Sequence, residues 1–137
     1  MNQTHNTNFY EMLAAACRKN GKGTAVFNDK EKTTYHALKQ EVDAVAAYLQ
    51  NMGVKFGDKV ALAVSNSPEF ISAYFAVSAI GAVAVPMNTF LKNNEYAYIL
   101  NDCKARFMFA SAGLQKELKG LKKQTRVEKI IWIGEAK

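Results

Sequence analysis

Short apolar runs and amphipathic helical stripes take turns along this chain, and few architectures can satisfy that pattern. The clearest stripe is Leu38, Val42, Val45, Leu49 and Met52, spaced 4, 3, 4, 3, with Gly53 placed to cap the end. After it, the run VALAV at 60–64 follows the turn residues Gly57 and Asp58. Its lack of polar alternation suits a strand covered on both faces, as in a parallel sheet. Ser67 and Pro68 then supply an N-cap and a first-turn proline for a helix that carries Phe70, Ile71, Tyr74, Phe75 and Val77 and stops at Gly81. The pattern repeats as a strand at 82–85, a helix near 93–103, a strand at 106–110, a helix near 114–122 and a last strand, IIWI, at 130–133. Ahead of these, Phe9, Leu13 and Ala16 predict a short helix ended by Gly21 and Gly23; AVFN at 25–28 predicts a strand, and DKEKTTY turns back from it. Right-handed crossovers between parallel strands put helices on both faces. The predicted fold class is therefore α/β, a three-layer, doubly wound, mainly parallel, Rossmann-like sheet with a short N-terminal helix and hairpin, built as one unit over residues 1–137.

Composition removes several function classes. With 49% hydrophobic and 22% charged residues the chain can bury a core, so disorder is not expected. Cys17 and Cys103 lie far apart on helical stretches and form no C-x-x-C pair, which argues against a zinc site or a disulfide framework and for a reducing cytoplasm. The opening MNQTHNTN is polar where a secretory leader would be apolar. From Phe70 to Leu91 no residue is charged, which raises the question of a membrane span. Ser72, Ser78, Gly81, Pro86, Asn88 and Thr89 interrupt that stretch, and it reads as helix, stop and strand, so no transmembrane segment is expected. The net charge of +6 is uneven, because residues 113–137 hold seven Lys/Arg against three Glu. Lys116, Lys119, Lys122, Lys123 and Arg126 have no stacking aromatics among them. They predict a solvated helix face and no nucleic-acid partner, with peripheral contact to an anionic membrane left open.

In a doubly wound fold, sites sit beyond the carboxyl ends of the strands. The loops there are SNSP at 65–68, PMNTF at 86–90 and SAG at 111–113, and none holds a catalytic set. There is no G-x-G-x-x-G and no G-x-x-x-x-G-K-[ST], and GKGT at 21–24 has the wrong order for a phosphate cradle. His5 and His36 lack an evident acid, base or nucleophile partner. Cys103 falls at helical spacing after Ile99 and Leu100, as a small apolar residue would. No catalytic, cofactor-binding or metal-ligating residue is predicted. Asn88, Thr89 and Phe90 are the candidates for lining a substrate channel, because they leave a strand's carboxyl end.

Several short strings stand in a set order between Thr34 and Ser111. They are Thr34, Tyr35 and Leu38; Gly53, Val54, Gly57, Asp58, Val60 and Ala61; Asn66, Ser67 and Glu69; and Gly81, Ala82, Val83, Pro86 and Asn88. In that order and spacing they resemble the AMP-binding acyl-CoA synthetase family, and PMNTFLKNNEYAYIL is most similar to its long-chain fatty acid branch. Physically these positions read as turns, caps and strand exits. Where the family often has Glu, Ala37 stands, so a capping box with Thr34 cannot close. The resemblance implies that this is the N-terminal scaffold of a parent enzyme that uses ATP, Mg²⁺ and coenzyme A to activate a fatty acid as an acyl-adenylate and pass it to the thiol. The family's phosphate loop, Tyr-x-x-Thr-Glu segment, ribose-binding Asp and catalytic Lys lie beyond Lys137 in a typical member, so residues 1–137 alone are expected to be inert and to hold no cofactor. Expected partners are the remainder of the parent chain, a fatty acid in that parent, and a second copy through an exposed apolar patch. Two alternatives stay open: a related adenylating enzyme that loads a carrier protein, and a non-catalytic α/β interaction domain.

Overall fold

A computed structural model describes residues 8–29 and 31–135, and the helices and strands alternate through them. His5 and most of the polar leader lie outside the described residues. Helix α1 (Phe9–Asn20) starts where the Asn8 side chain accepts a hydrogen bond from the Glu11 amide at 2.9 Å, satisfying one donor that a helix start leaves free. Strands β1 (Thr24–Asn28) and β2 (Glu31–Thr34) pair antiparallel as a separate hairpin. Thr34 then caps α2 (Tyr35–Asn51) by accepting from the Ala37 amide at 3.1 Å. With alanine at the third position, no side chain returns the bond. Asp43 ties α1 to α2, accepting from the Tyr10 hydroxyl and from Lys39, each at 2.7 Å.

The main sheet contains β3 (Lys59–Ala63), β4 (Val83–Pro86), β5 (Phe107–Ser111) and β6 (Lys129–Ile133), in the order β4-β3-β5-β6 and parallel throughout. Helix α3 (Pro68–Ala79) carries the chain from β3 to β4, and α4 (Asn93–Cys103) carries it from β4 back to β5. Ser67 caps α3 by accepting from the Phe70 amide at 3.2 Å, with Pro68 in the first turn. The winding thus reverses between β3 and β5, which makes the sheet doubly wound. Two cores result. Val60, Leu62, Val64, Phe107 and Phe109 meet α2 and α3 on one face, and Ala61, Ala63, Met108 and Ala110 meet α4 on the other. Among the described residues no helix is long and apolar enough to cross a membrane.

At the amino ends of the strands, Arg106 donates to Glu128 through Nε at 2.7 Å and Nη2 at 3.1 Å, and its Nη1 lies 3.5 Å from Asp58. This joins the starts of β3, β5 and β6. The hydrogen bond from Arg106 is the main reason that the Glu128 carboxyl is held below its ordinary pKa, and Glu128 in turn raises that of Arg106. At Gly81, φ is +69°, a conformation that favours glycine, and the exposed ring of Phe56 lies over the space where a Cβ would stand.

Two expectations are corrected. The helix predicted at 114–122 is replaced by a 3₁₀ turn at Ala112–Leu114, further turns, and a four-residue helix α5 (Leu121–Gln124). Gly120 sits at φ +78°, and the Asn93 side-chain amide donates to the carbonyls of Glu117 at 2.7 Å and Lys119 at 3.2 Å, giving them partners other than helical amides. Leu118 and Leu121 still reach the core. On α2 the buried stripe is Leu38, Val42, Ala46 and Leu49, whose spacing of 4, 4, 3 lies nearer the 3.6-residue period than 4, 3, 4, 3, while Val45 is half-buried at the edge of the same core.

Candidate functional site

Beyond the carboxyl ends of the strands the loops enclose three grooves. The first, about 350 Å³, lies between the β3 and β4 exits and is lined by Val64, Ser65, Asn66, Met87, Asn88, Thr89 and Phe90. The second, about 440 Å³, is lined by Ser65, Ser111, Ala112, Gly113, Gln115, Lys116, Ile133 and Glu135. It stands beside the gap where the winding reverses, the usual ligand position in such sheets. The third, about 300 Å³, lies between the hairpin and the start of α3, lined by Val26, Phe27, Asn28, Asn66, Ser67, Pro68, Phe70 and Ile71. Ser65 belongs to the first and second, and Asn66 to the first and third, so the three grooves adjoin across these two residues as a segmented furrow.

Local hydrogen bonds fix this furrow. The Ser65 amide donates to Ser111 Oγ at 3.0 Å, linking the β3 and β5 exits, and the Met87 amide donates to the Leu62 carbonyl at 2.9 Å. The Phe90 amide donates to Asn88 Oδ1 at 2.9 Å, a tight Asx turn that holds the Phe90 ring 88% exposed at the rim. Fully buried Tyr96 on α4 donates its hydroxyl to the Asn88 carbonyl at 2.8 Å, so the loop is anchored from below. Burial, and secondarily the charge of Glu117, raise the Tyr96 pKa, which keeps this donor protonated. Glu117 accepts from the Asn93 amide at 2.7 Å, and Gln124 donates to Asn93 Oδ1 at 2.9 Å, locking the 115–124 segment against the start of α4.

The three residues singled out in the sequence, Asn88, Thr89 and Phe90, all line the first groove. His36 lies exposed on α2, and Cys103 is partly buried with its thiol toward the Leu100 carbonyl at 3.7 Å. Sequence reasoning did not assign Ser65, Asn66 and Ser111 to a site, although all three fall in the loops it flagged and Asn66 is among the residues that carry the family resemblance. It also missed Tyr96, Asn93 and Glu117, whose roles depend on pairings across 8 to 26 residues that no local pattern announces. Lys116 and Glu135 are the charged residues among the furrow's described lining. Hydroxyls and amides of this kind can hold and orient a polar ligand, but they contain no activated nucleophile and no paired acid and base. Among the described residues there is no group of three His, Cys, Asp or Glu placed to hold a metal ion.

Known proteins are similar to this chain in sequence and fold. The crotonobetaine/carnitine–CoA ligase of Escherichia coli O139:H28 is 40% identical over 79 residues, covering 58% of this chain and 15% of that protein. The chain thus spans 15% of the length of the curated relatives it matches. The solved anthranilate CoA ligase AuaEII, in complex with anthranoyl-AMP, superposes with a TM-score of 0.89 at 30% identity, over 96% of this chain and 26% of that one. A Mycobacterium tuberculosis fatty acyl CoA synthetase gives 0.87 at 26% identity, over 92% of this chain and 26% of that one. The AMP-binding enzyme family matches residues 13–137, nearly all of the folded unit whose loops form the furrow, and the chain belongs to that family.

Proposed function

We propose that this chain is the N-terminal scaffold of a larger ATP-dependent acid–thiol ligase that activates a fatty acid as its acyl-adenylate and transfers it to coenzyme A. The observation that carries the reading is the 40% identity to a CoA ligase over 79 residues, beside a family match over residues 13–137. In this reading the parent supplies the sites for ATP, Mg²⁺ and coenzyme A, and residues 1–137 supply one wall of the acid's path. Asn88, Thr89 and Phe90 line that path, with Tyr96 holding their loop. The remainder of the parent chain covers the furrow and buries the exposed rings of Phe27 and Phe90, and the protein works in the cytoplasm.

A shorter, polar acid is the second reading. It is favoured by the names of the relatives at 40% identity and by the amide and hydroxyl lining around Asn66 and Asn88, which suits a polar ligand better than a long alkyl chain. Carboxylate-dependent pyrophosphate exchange tests the whole proposal. Residues 1–137 should give none above background, whereas the parent should exchange and then consume coenzyme A. Exchange by the isolated chain would overturn the scaffold reading, and transfer to a carrier protein in place of coenzyme A would replace the acceptor. A panel from carnitine-like acids to palmitate separates the two acids, and Phe90→Ala in the parent should raise the KM for the acid if this groove is on its path.

A further inference from the structure

Helix α4 begins on a residue that cannot cap it. Lys92 stands at the N-cap, where serine, threonine, aspartate or asparagine would offer an acceptor, and its ammonium group has none. The missing acceptor arrives from 24 residues away. A carboxylate oxygen of Glu117 accepts from the Asn93 amide, the first of the helix, at 2.7 Å, and its negative charge suits the positive end of the helix dipole. Asn93 binds back. Its side-chain amide donates to the carbonyls of Glu117 at 2.7 Å and Lys119 at 3.2 Å, while its Oδ1 accepts from Gln124 at 2.9 Å. The backbone donor, side-chain donor and side-chain acceptor of Asn93 are thus all engaged within the described residues, so the joint does not depend on what a longer chain lays over it.

This joint stands between two groove walls. On one side, the loop carrying Asn88, Thr89 and Phe90 starts where the Met87 amide meets the Leu62 carbonyl, and it ends at Lys92, whose amide donates to Glu95 at 2.7 Å. The next residue is Asn93. On the other side, Gln115 and Lys116 line the second groove directly before Glu117, which is itself outside the furrow's described lining. We propose that the Asn93–Glu117 joint positions both walls at once, and that Glu117 is therefore a positioning residue for the acid from outside the acid's groove. That the ligand is the acid rests on the ligase reading, and the coupling of the walls does not. Tyr96 supports the loop under Asn88 and the joint sets where the loop ends, so two posts fix the aim of the Phe90 ring. A loop that loses one post swings through a wider arc. Substrate must then select the productive fraction, which raises KM without slowing the chemical step.

Hydrogen exchange in the full parent chain reads the coupling, since the Phe90 amide is bonded to Asn88 in the first wall and the Leu118 amide to the Leu114 carbonyl beside the second. Glu117→Ala removes the acceptor and Asn93→Ala the side-chain bonds. Each should speed exchange at both amides about fivefold, the effect of losing one hydrogen bond, and leave the β3 ladder unchanged. Glu117→Gln keeps an acceptor oxygen and should restore both. Lys92→Ser supplies a local cap, so combined with Glu117→Ala it should slow exchange at Phe90 again and leave Leu118 fast. Should Asn93→Ala not fold, Glu117→Ala, which leaves the Glu117 and Lys119 carbonyls bonded, decides alone. Exchange in Glu117→Ala that quickens at Leu118 and not at Phe90 would overturn the coupling. In turnover, Glu117→Ala should raise the KM for the acid about fivefold with kcat within about twofold, and Glu117→Gln should return it. An unchanged KM in an active parent, or a loss in kcat alone, would overturn the positioning role. A parent that consumes no acid would instead remove the ligase reading and leave the exchange rates to decide the joint.

Discussion

The two faces of the sheet are built from different stock. Toward α2 and α3 it presents Val60, Leu62, Val64, Phe107 and Phe109, and these interlock with Leu38, Val42 and Leu49. Toward α4 it presents Ala61, Ala63, Met108 and Ala110, and the volume those alanines leave is taken by Tyr96, the largest fully buried side chain. The first face is deep and mostly apolar, and buried Ser72 of α3 spends its hydroxyl on the Pro68 carbonyl. The second is shallow, and its main filler carries a hydroxyl that reaches the Asn88 carbonyl at 2.8 Å. Stability therefore concentrates on one side of the sheet, and the aiming of the furrow's loops on the other.

The largest effect should come from the deep face. Leu49→Ala removes a fully buried side chain from its centre and should cost about 2 to 5 kcal/mol in denaturant unfolding. Val45→Ala, on the half-buried rim, should cost about 1 kcal/mol or less. Equal losses would show that the deep face has no centre. The alanine face should fail in the opposite sense: Ala63→Leu adds volume against α4 and should cost about 1 to 3 kcal/mol by overpacking, measured the same way. A neutral Ala63→Leu would mean that the shallow face has slack.

Tyr96→Phe keeps the ring and removes only the hydroxyl, so its global cost should be about 1 kcal/mol. Its local effect should exceed that, with amide exchange speeding up at Thr89 and Phe90 more than on β3. Uniform exchange would break the division of labour between the faces. The same residue sets an alkaline limit. Burial and Glu117 raise the folded pKa of Tyr96 above its ordinary 10.0, so its contribution is complete below about pH 10 and is lost as pH rises through the folded value. Tyr96→Phe should flatten that limb of a pH–stability curve. The smallest effect belongs to neither face. The Arg106 bond lowers the Glu128 pKa, so its contribution is present above the ordinary value of 4.5 and is lost as pH falls through the folded one. Because both partners are exposed, Glu128→Gln should change the acid limb only slightly, and less in high salt.

Much of the deep face was legible in the sequence, since Leu38, Val42 and Leu49 repeat at helical spacing and VALAV announces a covered strand. The difference between the faces was also written there, as large and small residues alternating in Val60, Ala61, Leu62, Ala63 and Val64, but an all-apolar run hides that alternation from a reading of polarity. The 112–124 segment was misread because Leu114, Leu118 and Leu121 keep a helical spacing while Gly120 and the side chain of Asn93 dictate turns. The loop carrying Asn88, Thr89 and Phe90 was found from its place at a strand's end. Its anchor was not, because a buried tyrosine looks like any other core aromatic until its hydroxyl finds a carbonyl.

The strand order also sets a sequence of events in time. Val60 pairs with Ala84, 24 residues on, and with Phe107, 47 residues on. A loop of twice the length costs only about 0.6 kcal/mol more to close, yet that is nearly threefold in the chance of an encounter. Strand β4 also leaves the ribosome before β5. The β3–β4 ribbon should therefore close first, so that the loop from Met87 to Phe90 exists as a groove while the Ser111 side of the furrow is still unformed chain.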